Sequence, residues 1–149
     1  PLVARYRHHF LIQDAAIPLF EGARETLAEL HDAGYWLAVA TGKSRAGLDR
    51  ALDSTGLKEY FHATRTADQT FSKPDPAMLF ELMEELEVSA GRTLMVGDTT
   101  HDVQMAQNAK VDVVALGHGA HPAEQLQELN PLALVGDFAE LRAWFKTHA

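Results

Sequence analysis

The chain has 149 residues, 46% of them hydrophobic and 23% charged, which fits one ordinary globular domain and excludes a disordered or low-complexity chain. Thirteen Lys and Arg against twenty-one Asp and Glu leave a net charge of −8, and the basic residues are scattered rather than striped, so neither nucleic acid nor an anionic membrane is expected as a partner. There is no cysteine for a disulfide or thiolate metal site, no membrane-length apolar run and no signal-peptide core, so a cytoplasmic location is the default expectation.

The opening segment places Val3, Tyr6, Phe10 and Leu11 at helical spacing. This predicts a helix entered midway, as though the sequence had been cut from something longer. After Pro18 a second helix is predicted from Glu21 to Ala33, with Ala23, Leu27 and Leu30 on one face and Gly34 as its stop. Tyr35 to Ala40 is a nearly continuous apolar run, the pattern of a buried parallel strand. It ends in Thr41-Gly42-Lys43-Ser44, and Ser44 is placed to cap a helix carrying Leu48, Ala51 and Leu52 before Gly56. A hydroxyl, a glycine and exposed helix-start amides at a strand's carboxyl end can cradle an anion, and the same four residues can equally form an ordinary strand-to-helix turn.

A weak strand is predicted near Phe61–Arg65, and Asp75-Pro76 starts a helix whose buried stripe is Leu79, Leu82, Met83 and Leu86. Lys73, held between Ser72 and Pro74, sits on stiffened backbone that can aim one ammonium group at a fixed point. Thr93 to Gly97 is the next apolar run, followed by Asp98 and, in the first turn of a helix from Thr100 to Ala109, by Asp102. Two acids at a strand's carboxyl edge outline a Mg²⁺ site, since that ion takes hard oxygen ligands from one or two carboxylates plus substrate phosphate and water. The alternative is a turn-starting Asp98 and a solvated Asp102 favoured by the helix dipole.

Further strands are predicted at Val111–Leu116 and Leu132–Val135, the second leading through Gly136-Asp137 into a last helix with Leu141, Trp144 and Phe145. There Asp137 and Glu140 fit a capping box and no metal site. His118 and His121 have HxxH spacing but no acidic or Cys company, so they are not read as ligands. Helices alternating with apolar strands predict an α/β fold, doubly wound around a mostly parallel sheet.

Ala40-Thr41-Gly42-Lys43, Ser72-Lys73-Pro74-Asp75-Pro76 and Val96-Gly97-Asp98-Thr99-Thr100-His101-Asp102 resemble, in order and spacing, motifs II, III and IV of the haloacid dehalogenase-like (HAD) hydrolase superfamily. The similarity runs from about Pro18 to the carboxyl terminus and is greatest to phosphoglycolate phosphatase-like members. It implies a Rossmann-like core over residues 18–149, with residues 1–17 as the last helix of a helical cap and a linker. It also implies a Mg²⁺-dependent phosphatase acting on a small phosphorylated metabolite through an aspartyl-phosphate. By position, Thr41 and the Gly42 amide would hold phosphoryl oxygens, Lys73 would neutralise charge, Asp98 would bind Mg²⁺, and Asp102 would act on the metal directly or through water.

Motif I, an apolar strand ending in Asp-x-Asp, is absent; Asp14-Ala15-Ala16 lacks a second acid and has no predicted strand before it. The nucleophile and its central strand are therefore expected outside this chain, either in a missing amino-terminal segment or in a strand-exchanged second chain, and the isolated chain is expected to be inactive. The other functional expectation is a non-catalytic module that binds phosphate or a protein. An unrelated nucleotide-binding domain lacks support, because no Gly-rich fingerprint is present. Relatives in the superfamily generally carry Gly at the position of Lys110.

Overall fold

In the computed structural model, which describes residues 10–13, 22–71, 73–117 and 122–148, six strands form one parallel sheet. They are β1 (Phe10–Gln13), β2 (Trp36–Ala40), β3 (Ala63–Arg65), β4 (Thr93–Gly97), β5 (Asp112–Leu116) and β6 (Ala133–Val135), in the order β3-β2-β1-β4-β5-β6. The helices are α1 (Ala23–Asp32), α2 (Arg45–Thr55), α3 (Ala77–Glu85), α4 (Thr100–Asn108), α5 (Ala123–Glu128) and α6 (Phe138–His148). This is the doubly wound α/β arrangement that the alternating pattern predicts.

The apolar runs divide by parity, because successive strand residues point to opposite faces. Leu37, Leu94, Val96, Val114 and Leu116 face α1 and α6, where they pack with Leu27, Leu30, Leu141 and Phe145. Ala38, Ala40, Met95, Val113 and Ala115 face the other layer, against Leu79, Leu82, Val103, Met105 and Leu126 of α3, α4 and α5. Both faces are covered, so the strands need no polar alternation.

Local chemistry sets the helix ends that matter for the site. Ser44 accepts a hydrogen bond from the Gly47 amide at 3.1 Å, and Gly56 closes α2 at φ 69°. Asp75 accepts from the Ala77 amide at 2.9 Å, although Pro76 falls just before α3 rather than inside it. Asp137 accepts from the Glu140 amide at 2.8 Å, while Glu140 reaches the amide of Gly136 rather than that of Asp137, so the predicted capping box closes one residue early.

One expectation fails at the amino-terminal side. Phe10 and Leu11, predicted in a helix, begin the strand β1, which lies between β2 and β4; the rest of that predicted helix lies outside the described residues. Aromatic and branched side chains suit a pleated strand, and β2 and β4 would otherwise each present a row of unmade backbone hydrogen bonds. Tertiary pairing therefore overrides one turn of helical periodicity. Phe-Leu-Ile-Gln fills the centre of the sheet, where the expectation left a gap, and it carries no acid.

Candidate active site

The strand order reverses between β1 and β4, and ligands of open α/β sheets sit at the carboxyl ends beside such a reversal. Gln13 is level with Val39 on one side and Val96 on the other. Two residues further along each neighbour stand Thr41 and Asp98, at the same level and two strand spacings, roughly 10 Å, apart.

Asp98 and Asp102 are both buried, with relative exposures of 1% and 0%. The reading of Asp102 as a solvated first-turn acid therefore fails. Its Oδ2 accepts from the amides of Asp98 and Thr99 at 3.1 and 3.2 Å, and its own amide donates to the Thr99 hydroxyl at 3.1 Å, closing a capping box on α4. The Asp102 side chain thus fixes the turn that carries Asp98. Gly97 makes this possible: a Cβ there would stand 2.3 Å from the Cβ of Asp102.

Lys73 arrives from the loop before α3 and donates its Nζ proton to Asp102 Oδ1 at 2.5 Å, with a side chain only 8% exposed. Asn108 holds the same loop from α4 by donating to the Pro74 carbonyl at 3.0 Å, across the cis Lys73-Pro74 peptide. Lys73 is thereby brought to Asp102, 29 positions later in sequence, and so to the turn that carries Asp98.

On the other side of the reversal Thr41 is buried and Gly42 is exposed. Thr41 Oγ1 accepts from the Lys43 amide at 3.1 Å, which leaves the hydroxyl proton to be donated elsewhere. Nothing lies within 4 Å of a Cβ placed at Gly42, so the backbone there is open to a ligand. Two of the helix-start amides, expected to be exposed, are already taken. Gly47 is taken by Ser44, and the Arg45 amide donates to both carboxylate oxygens of Asp68 at 3.1 Å. The anion cradle is narrower than the sequence suggests, with the Thr41 hydroxyl and the Gly42 amide left as donors on the loop itself.

A model of the haloacid dehalogenase-like hydrolase family matches residues 2–116. The chain belongs to that family. It is 38% identical over 139 residues to probable phosphatase IndB of Dickeya dadantii, covering 93% of this chain and 60% of the relative. It is 35% identical over 125 residues to a phosphoglycolate phosphatase of Photobacterium profundum, covering 83% of this chain and 54% of the relative. Among solved structures, a predicted phosphoglycolate phosphatase from Haemophilus somnus superposes with a TM-score of 0.77 at 27% identity, over 83% of this chain and 56% of that one. A HAD family hydrolase from Deinococcus radiodurans, with bound phosphate and sodium, gives 0.80 at 25% identity, over 87% and 59%. This HAD chain is similar to phosphoglycolate phosphatases in sequence and fold, and it spans a little over half the length of these relatives.

Among the described residues no group of three or more His, Asp or Glu gathers into a metal cage. The donor set still suits Mg²⁺, which needs few protein ligands when phosphate and water complete its shell. Asp98 offers a buried hard oxygen at the strand end. Both oxygens of Asp102 are engaged by Lys73 and by amides, so it fits the role of a ligand acting through water. His118 and His121 lie outside the described residues, as does Asp14. A strand does precede Asp14, contrary to expectation, but Ala16 supplies no second acid.

Residues that the sequence reading passed over surround this HAD site. Thr99 is one, and the Thr-x-x-Asp spacing of a capping box could have revealed it. Asp68 is another, and nothing local marks it, because its partner Arg45 lies 23 residues earlier. The Thr66 hydroxyl and then the Arg45 amide hold the Asp68 carboxyl below its ordinary range. A third is Glu81, which the Thr70 hydroxyl and then the Arg65 guanidinium hold below its ordinary range, tying the loop before Lys73 to α3.

Proposed function

We propose that this chain is the phosphate- and metal-holding part of a Mg²⁺-dependent phosphatase that cleaves a small phosphate monoester, the substrate class of phosphoglycolate phosphatases. The observation that carries this reading is the buried Lys73–Asp102 pair beside Asp98, facing Thr41 and Gly42 across the strand reversal. Burying a cation and two acids at a sheet edge is costly, and binding a dianion with a metal ion gives that cost a purpose beyond the helix cap.

Each residue then has a share in holding the transferred group. The Thr41 hydroxyl and the Gly42 amide donate to phosphoryl oxygens, and the Lys73 ammonium offsets charge gathering on them in the transition state. Asp98 holds the metal, and Asp102 fixes the Asp98 turn and orients Lys73. Mg²⁺, when bound, supplies further charge neutralisation at the phosphoryl oxygens. The nucleophile is an Asp carboxylate from residues outside these 149. Its oxygen forms a bond to phosphorus as the ester oxygen leaves and takes a proton, and water then hydrolyses the aspartyl-phosphate.

The test is Asp98→Asn in the full-length protein with phosphoglycolate as substrate. Mg²⁺-dependent phosphate release should fall at least a hundredfold, and unchanged turnover would overturn the metal assignment. A second reading has one observation in its favour: the central strand β1 carries no carboxylate in its four residues. On that reading the chain binds phosphate without turning it over, and saturable phosphate binding with no hydrolysis by any form of the protein would establish it.

A further inference from the structure

Asp68 stands outside the three motifs, in the chain that connects motif II to motif III. It belongs to the connection running from β3 to Lys73, and its carboxylate accepts from the Arg45 amide through both oxygens at 3.1 Å. Two further tethers run alongside: the Ala67 amide donates to the Lys43 carbonyl at 3.0 Å, and the Thr41 amide donates to the Arg65 carbonyl at 3.1 Å. The segment Thr41-Gly42-Lys43-Ser44 is thus stitched to residues 65–68 at both ends, while Gly42 between them is left open. The Thr66 hydroxyl donates to Asp68 Oδ1 at 2.5 Å and fixes the carboxylate's orientation. Further along the same connection, Thr70 donates to Glu81 at 2.5 Å and anchors it to α3 just before Lys73.

We propose that Asp68 is a positioning residue for the phosphate cradle: by taking the anion place at the amino end of α2, it holds the Gly42 amide and the Thr41 hydroxyl at a fixed distance from Lys73. The inference rests on the phosphate-binding reading given above. Its physical content is specific. The first amides of a helix attract anions, and here an internal carboxylate satisfies one of them, so a ligand phosphate is directed to Gly42 instead of to the helix start. Without that carboxylate, α2 can fray at its first turn, and the loop can close only by ordering itself when phosphate arrives. That ordering is a direct loss of affinity.

The experiment is titration of the 149-residue chain with inorganic phosphate, followed through the backbone amide resonance of Gly42. Four proteins are compared: the parent, Thr41→Val, Asp68→Ala and Asp68→Asn. The parent should saturate, and Thr41→Val should weaken binding at least tenfold. Asp68→Ala should raise the phosphate Kd roughly fivefold or more at a temperature well below its melting point. Asp68→Asn, which keeps an acceptor for the Arg45 amide, should stay within about twofold of the parent. A purely structural role would lower the melting temperature of both Asp68 variants and leave the Kd alone, and that result overturns the proposal. Asp68→Ala binding as the parent does also overturns it, with the phosphate site itself intact. A parent chain that takes up no phosphate overturns the site reading and the Asp68 proposal together. Should Asp68→Ala fail to fold, the Asn variant decides: a fivefold loss there contradicts the acceptor role.

Discussion

Lys73 and Asp102 lie 29 residues apart and meet in a 2.5 Å ion pair that is almost wholly withdrawn from water. The pair joins the loop before α3 to the first turn of α4. Removing one member of a buried pair leaves the other charge uncompensated, which typically costs about 3 to 5 kcal/mol. Lys73→Met should therefore destabilise the chain by about 3 kcal/mol in urea denaturation. A loss under about 1 kcal/mol would mean that Asp102 is satisfied by the Asp98 and Thr99 amides alone.

Gly97 offers a second test, one of space rather than charge. A methyl group there would meet the Asp102 Cβ at 2.3 Å, far inside contact distance. α4 and β4 are both anchored in the core, so neither can step aside freely. Gly97→Ala should cost about 1 to 3 kcal/mol, as overpacking does. It should also shift the Asp98 and Thr99 amide resonances, because their acceptor moves. A variant with parent stability and unmoved amides would contradict the capping geometry.

Much of this was legible in the sequence because it is local. The apolar runs Tyr35–Ala40, Thr93–Gly97 and Val111–Leu116 declare the strands β2, β4 and β5. Ser44 and Gly56 declare the ends of α2 in the same way, and the four-residue spacing of Asp98 and Asp102 brings both acids to one turn. The remainder depends on partners distant in sequence. Asp68 caps a helix that begins 23 residues earlier, and no spacing rule reaches that far. Asp102 is held by Lys73 as well as by the Asp98 and Thr99 amides, and only the fold brings the lysine near. Phe10 and Leu11 read as helix because so short a segment carries almost no periodicity, while the slot between β2 and β4 has strong requirements of its own.

That slot makes a prediction about protection. A strand paired on both sides opens only with the sheet, so the Leu11 and Ile12 amides should exchange with solvent about as slowly as those of β4. Native-state hydrogen exchange measures this directly. Exchange within minutes, alongside slow β4 amides, would show that β1 does not hold the centre.

Lys110 sits at φ 61°, in the left-handed region where a side chain is strained and glycine is not. It ends α4 and lets the chain turn into Val111 and β5, and its side chain is exposed. Lys110→Gly should relieve the strain and stabilise the chain by about 0.5 to 1 kcal/mol. Any destabilisation in thermal melting would mean that the lysine has a compensating contact.

Acidity should weaken the connection between the two halves of the site. The Asp68 carboxyl is held low by the Thr66 hydroxyl and then the Arg45 amide, and that of Glu81 by the Thr70 hydroxyl and then Arg65. A folded-state pKa below the unfolded value means that the unfolded chain binds protons first as pH falls. The stabilisation from each group is therefore complete above the ordinary carboxylate range, about pH 4. It is lost progressively as pH falls below that range and through the folded-state values. Between about pH 5 and 3 the melting temperature of the parent should consequently fall more steeply than that of an Asp68→Asn, Glu81→Gln double variant, with the two curves converging at the acid end. Parallel curves would show that neither carboxylate contributes to stability through its charge.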